Sequence, residues 1–217
     1  MSEASPGSLL DLVCLVADEN MRQTLLALLG RRATSLGIPR LHIQIPVHPE
    51  HDPGCFGRSP DFLRSFARRA RYAIVLFDRE GCGHEGRTRD ELERDLESRL
   101  QQAGWDSRVV AIAIDPELEA WVWSESPHVD EVLGWKNRTP ELRSWLTTEK
   151  YLPAGRGKPE RPKEAMEEAL FQVRRPRSSA LYRQLADKVG LERCVDPAFT
   201  KLKGTLRTWF GTRPETG

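Results

Sequence analysis

Apolar residues gather along this chain in two rhythms, and their alternation predicts the fold. Residues 12–17 (LVCLVA), 73–77 (AIVLF) and 109–114 (VVAIAI) are unbroken apolar runs, the pattern of parallel strands buried on both faces. Residues 41–47 alternate instead, with Leu41, Ile43, Ile45 and Val47 on one face and His42, Gln44 and Pro46 on the other. A proline cannot donate to a central ladder, so this strand belongs at a sheet edge. Between the first two strands Met21, Leu25, Leu26, Leu28 and Leu29 recur at helical spacing until Gly37 and Pro39, which marks a crossover helix. Ser59-Pro60 predicts a helix start before the third strand, with Phe62, Leu63, Phe66 and Ala67 as its buried stripe. Thr88 and Glu91 form a capping box ahead of Leu92, Leu96 and Leu100, and Gly104 ends that helix. A βαβαβαβ order builds an open, mostly parallel α/β sheet of about four strands flanked by helices.

Beyond residue 135 the strand pattern stops. Ala165, Ala169 and Phe171, then Leu181, Leu185 and Val189, then Phe199, Leu202, Leu206 and Trp209 trace three further helices, while residues 151–162, rich in Pro, Gly and charge, read as a linker. The expected organisation is an α/β domain over 1–135 and a small helical unit over 136–217. Charge sharpens that division: the first part holds 15 Arg and no Lys against 22 acidic residues, a balance of −7, and the second holds 18 basic against 10 acidic, a balance of +8. A basic unit attracts phosphate backbones through counterion release. Lys163 and the compact group Arg174, Arg175 and Arg177 are therefore the candidate nucleic-acid contacts. Of the six tryptophans, Trp121 and Trp145 read as core, and Trp123 and Trp135 as candidates for an exposed aromatic surface.

The opening MSEASPGS has no basic n-region and no apolar h-segment, and no apolar run approaches the roughly 18 residues of a membrane span. Cys14, Cys55, Cys82 and Cys194 form no CxxC pair, as suits a reducing compartment. A cytoplasmic protein, neither secreted nor membrane-embedded, is expected.

In open parallel sheets the ligand site lies beyond the carboxyl ends of the strands. Three of the four strands here end in acid: Asp18-Glu19, Asp78-Arg79-Glu80, and Asp115-Pro116-Glu117-Leu118-Glu119. Carboxylates gathered at one rim repel one another unless a cation sits between them, and hard oxygen donors suit Mg²⁺ or Mn²⁺. Asp115-Pro116 also has the form of a helix N-cap, which would put Asp115 and Glu119 on one face and Glu117 opposite. His48, His51, Cys55, Cys82 and His84 form a second group of potential ligands, but their His-x-x-His and Cys-x-His spacings match no common structural zinc pattern, and zinc is not expected.

Glu19 at the end of the first strand, and Asp78 and Glu80 one residue apart at the end of a later one, resemble the Toprim domain of topoisomerases, primases and overcoming-lysogenization-defect nucleases. The chain has Glu19-Asn20 where that domain has Glu-Gly, and Glu80 with an intervening Arg79 where it usually has Asp-x-Asp. Pro116, Glu119 and Trp121, Pro162-Lys163-Glu164 and Asp196-Pro197-Ala198-Phe199 are similar to a bacterial Toprim-like family of unknown function. HPEHDPGC (48–55), VLFDREGCG (75–83), IDPELEAWVW (114–123), SPHVDEVLGW (126–135) and RPRSSALYRQLA (175–186) together resemble the small fourth component of methylation-associated defence systems against phage. That resemblance implies an accessory role beside a DNA methyltransferase and other proteins of a multigene system. Two activities remain open. In one, Glu19, Asp78 and Glu80 hold Mg²⁺ or Mn²⁺, Glu119 assists, and the chain cleaves DNA; in the other it is an inactive adaptor or sensor whose Arg79 neutralises the acidic rim in place of a metal.

Overall fold

A computed structural model of the chain describes residues 9–124, 126–190 and 194–211; the opening octapeptide lies outside them. The structure is an α/β fold with one four-stranded parallel sheet in the order β2-β1-β3-β4, where β1 is Leu10–Val16, β2 Ile43–Gln44, β3 Ala70–Asp78 and β4 Val109–Ile114. The three apolar runs form β1, β3 and β4, and Ala73, Ile74, Val75, Leu76 and Phe77 of β3 are wholly shielded from solvent. The alternating segment does lie at an edge, but it pairs over two residues only, supplemented by an isolated bridge between Val16 and Val47. Proline at 46 has no N–H to extend that ladder. The chain leaves β1 toward β2 and then crosses back beside β1 to form β3, so the strand order reverses between β1 and β3, where ligand crevices open in such sheets.

Asp18 accepts from the Met21 N–H at 2.8 Å and caps α1 (Glu19–Leu26), which runs through a π-helical turn at Ala27–Arg31 into α2 (Ala33–Leu36). Gly37, at φ 78°, supplies the left-handed residue that ends it. The helix before β3 starts earlier than predicted: α3 spans His51–Leu63, with Ser59 buried and Pro60 inside it. The capping box of Thr88 and Glu91 opens α4 (Arg89–Leu100) as expected.

The helices after residue 126 are α5 (Pro127–Leu133), α6 (Leu142–Thr148), α7 (Pro162–Gln172), α8 (Ser179–Lys188) and α9 (Pro197–Phe210). Asp196 caps α9 through the N–H groups of Ala198 and Phe199. α8 packs on α1 and α9 on β4 and α2, and a continuous apolar core runs from the sheet into α7, α8 and α9. The stripe on α7 is Ala165, Met166, Ala169 and Leu170; Phe171, expected inside, is exposed. Trp123 and Trp135 are buried, not presented at a surface, and their indole N–H groups donate to the carbonyls of Pro162 and Ala169. The outer edge of β4 is closed by side chains. Glu97 and Glu93 accept from the Ala111 and Ala113 N–H groups at 3.0 Å each, and Lys201 of α9 bridges both carboxylates, leaving those donors unavailable to a foreign strand. Among the described residues no helix is long and apolar enough to cross a membrane.

Candidate acidic site at the carboxyl ends of the strands

The crevice between β1 and β3 opens into a pocket lined by eight carboxylates, with Lys163 and Arg177 as its basic residues. Asp18 and Asp52 come from the starts of α1 and α3, Asp78 and Glu80 from the end of β3, Glu117 and Glu119 from the segment after β4, and Glu164 and Glu167 from α7. Asp78 lies at its centre. Its backbone N–H donates to Asp52 Oδ1 at 2.7 Å, while its own Oδ1 is sealed from solvent and has no hydrogen-bond partner among the described residues. Burial, then the charges of Asp52, Glu119, Asp18 and Glu117, pushes the Asp78 carboxyl well above the usual range. Burial likewise raises Asp52, and the Asp78 N–H opposes that shift.

Of the residues singled out from the sequence, Asp78, Glu80 and Glu119 meet at this pocket and Glu19 does not. Glu19 lies in the first turn of α1, exposed, holding Gln23 at 2.7 Å and Arg22 at 3.2 Å, and its carboxyl is lowered chiefly by the Gln23 bond. The preceding Asp18 takes the place on the rim because the N-cap side chain folds back over the strand end while the first helical residue points outward. Asp52 and Glu117 were not anticipated. Asp52 sits in a segment that reads as a loop in sequence but is the first turn of α3. A helix starting at Asp115-Pro116 would set Glu117 opposite Glu119; the Glu117 backbone is instead extended, at φ −160° and ψ 170°, so Glu117 and Glu119 face the same pocket. Asp115 turns away and binds Arg79 Nε at 2.8 Å. Arg79 also donates to the Glu85 carbonyl at 2.7 Å. It therefore lies outside the acidic pocket and does not neutralise it.

The cations inside the pocket come from the start of α7 and from the turn between α7 and α8. Lys163 opens α7: its backbone N–H donates to Glu117 Oε1 at 2.9 Å and its half-exposed ammonium lies 3.9 Å from Oε2. Arg177 binds Glu119 Oε1 at 2.6 Å, Glu167 Oε1 at 3.0 Å and Tyr182 Oη at 2.6 Å, and the Tyr182 hydroxyl also donates to Glu119 Oε1. Arg175 donates to the Val132 carbonyl at 2.6 Å, and Arg174, at φ 54°, forms the turn after α7. Two of the three arginines expected to meet phosphate are thus committed within the fold. The histidine and cysteine group does not assemble either. His48 is buried beside Phe62 and accepts from the Glu50 N–H, His51 contacts the Ala17 carbonyl, and His84 packs on Phe56.

Hard oxygen donors and a shielded, unpartnered Asp78 oxygen fit the chemistry of Mg²⁺ or Mn²⁺. Among the described residues, however, no three His, Cys, Asp or Glu side chains stand close enough to form a ready-made metal site; Glu119 is held by Arg177 and Tyr182.

Burial, followed by the charges of Glu119 and Glu80, raises Glu117 from its ordinary 4.5 to about 7. The folded chain thus keeps a proton that the unfolded chain releases near pH 4.5, and the associated stability, complete below that value, is lost as pH rises toward 7. Glu117→Gln is expected to match the parent below pH 4.5 and to exceed it by roughly 1–3 kcal/mol above pH 7 in EDTA. Urea denaturation across this range measures the gap, and a constant difference at every pH would refute it.

Comparison with family models, with curated proteins and with solved structures finds no match to this chain.

Proposed function

We propose that the chain is an accessory component of a bacterial methylation-associated antiphage defence system, and that its acidic pocket takes up Mg²⁺ or Mn²⁺ for phosphoryl transfer on DNA. The observation that carries the metal reading is Asp78: a sealed, unpartnered carboxylate oxygen at the strand-order reversal, ringed by further carboxylates. Asp78 and Glu80 would hold the cation, with Asp52 and Glu117 adding negative charge around it. A divalent ion there supplies a Lewis acid for a phosphate oxygen and lowers the pKa of a bound water. Lys163, half exposed at the rim, would meet the phosphate of an approaching strand. Tyr182 and Arg177 hold Glu119 in one orientation.

A second reading is that the chain is an inactive adaptor or sensor within the defence complex. It is favoured by the hold of Arg177 and Tyr182 on Glu119 and by the absence of a ready-made three-ligand cluster among the described residues. Phage protection in cells separates the two. The double change Asp78→Asn and Glu80→Gln keeps shape but removes both charges. Under the enzyme reading it abolishes protection at normal protein abundance, and the purified parent nicks plasmid DNA with Mn²⁺ but not with EDTA. Full protection by the double variant would reject phosphoryl transfer and leave the adaptor.

A further inference from the structure

We infer that the amino ends of the strands carry a separate docking site, an arginine platform that takes the phosphate backbone of DNA. The platform is the turn between α3 and β3 together with the first two residues of β3, where residues 64–71 hold Arg64, Arg68, Arg69 and Arg71 with no Lys, Asp or Glu. All four arginines are exposed. The part of the chain that contains them is acidic overall, with 15 Arg against 22 Asp and Glu over residues 1–135. The acidic pocket gathers eight carboxylates at the carboxyl ends of the strands, and this lysine-free, acid-free run of arginines lies at the amino end of β3. Asp78 ends β3 and Ala70 begins it, so the platform lies about 25 Å from the acidic pocket at ~3.3 Å per residue.

The guanidinium groups are largely uncommitted. Arg68 has no hydrogen-bond or ion-pair partner among the described residues. Arg69 lies over the Phe66 ring at 5.7 Å and Arg71 over Tyr72 at 6.0 Å. Arg71 reaches Asp11 only at 3.5 Å, and Arg64 pairs with Asp61, both side chains about three-quarters exposed; such surface pairs yield readily to another anion. Their support is rigid. Arg108 donates to the carbonyls of Ala67, Ala70, Arg71 and Gly104 at 3.2–3.5 Å, which locks the backbone from which Arg68, Arg69 and Arg71 project. Tyr72, stacked on Trp209 at 4.4 Å, walls a shallow depression of about 300 Å³ that Arg68, Arg71 and Arg108 line, with no carboxylate among the described residues in its lining.

An open row of guanidinium forks suits a polymer of phosphates better than a single small anion, because each fork meets one phosphate bidentately and none encloses it. A lipid surface would also require apolar side chains to insert, and Leu9 is the one exposed large hydrophobic residue beside the platform among the described residues.

Fluorescence anisotropy of the full chain with a labelled random-sequence DNA duplex in EDTA tests this independently of any metal chemistry. The parent is expected to bind with a strong salt dependence. Arg64→Ala, Arg68→Ala and Arg69→Ala together should lower affinity at least about tenfold and flatten the slope of log K against log salt by about 2–3. A charge-matched triple, Lys136→Ala, Arg138→Ala and Lys150→Ala, should leave affinity within about twofold, and the single change Arg68→Glu, at a side chain with no hydrogen bond or ion pair among the described residues, should weaken binding without shifting the thermal melt. Absence of salt-dependent binding by the parent, equal losses in the two triples, or loss of binding to phosphatidylserine vesicles with DNA binding intact would each overturn the inference. DNA binding that persists without nicking in Mn²⁺ would uphold the platform while refuting the enzyme reading.

Discussion

Asp78→Asn is expected to raise the melting temperature of the metal-free chain at neutral pH by about 4–8 °C and to erase the stabilisation that Mn²⁺ gives the parent. Asp78 closes the central strand β3 with one oxygen sealed from water and unbonded, in a pocket lined by seven other carboxylates. Folding must therefore either bury that charge or take up a proton, because burial and the neighbouring acids raise the carboxyl well above its ordinary value. Both routes cost stability at neutral pH and neither operates below the carboxyl's unfolded pKa of about 3.9. An amide of the same shape remains a buried polar group but carries no charge and takes up no proton, so it removes the part of the cost that the charge imposes, about 2 kcal/mol. The same change deletes the donor on which the metal reading depends, so stability and metal response should move in opposite directions. Differential scanning fluorimetry in EDTA and in Mn²⁺, at acid and neutral pH, reads both. A variant that melts lower than the parent at neutral pH, or one that keeps the full Mn²⁺ shift, would show that Asp78 is a structural carboxylate.

The parallel sheet was legible because β1, β3 and β4 are built around the unbroken apolar runs at 12–17, 73–77 and 109–114, and a strand buried on both faces leaves little alternative for such runs. The end of β3 was legible for the same reason: an acid directly after five shielded residues has to emerge at the sheet's rim. What the sequence could not show was which neighbour of each strand end turns inward. Asp18 and Glu19 differ by one position, and the N-cap role that separates them depends on where α1 begins. Glu117 and Glu119 share a face only because the chain is extended at Glu117, against the helical pattern that Asp115-Pro116 suggests. The tryptophans misled in another way. Trp123 and Trp135 find carbonyl partners on α7, 39 and 34 residues later in the chain, and long-range partners of that kind leave no mark on local spacing. The arginines at 174–177 likewise read as a surface cluster, whereas the turn after α7 folds Arg175 onto α5 and Arg177 into the acidic pocket.

Arg177→Gln is expected to be the costliest of the polar changes without metal, about 2–4 kcal/mol, and to respond most strongly to Mn²⁺. Glu119 is 3% exposed at its side chain, and its Oε1 receives both Arg177 and the Tyr182 hydroxyl. Removing the guanidinium leaves that carboxylate buried with Tyr182 as its remaining partner. The cost falls below that of a fully enclosed pair because Arg177 is itself 30% exposed. Most of the loss is the strain of an unpaired charge, so adding Glu119→Gln to the arginine variant should recover most of it, whereas Glu119→Gln alone, which leaves Arg177 with Glu167 and Tyr182, should cost less than the arginine change. Urea denaturation of the four proteins in EDTA gives the coupling, and near-additive losses would show that the pair carries no special weight. Mn²⁺ then distinguishes what the arginine does for the pocket. If Arg177 stands where a cation would otherwise neutralise the carboxylates, the arginine variant gains more stability from Mn²⁺ than the parent does, and the double variant gains less than the arginine variant because Glu119 no longer carries charge. Equal Mn²⁺ responses in all four would mean that the ion, wherever it binds, does not meet Glu119.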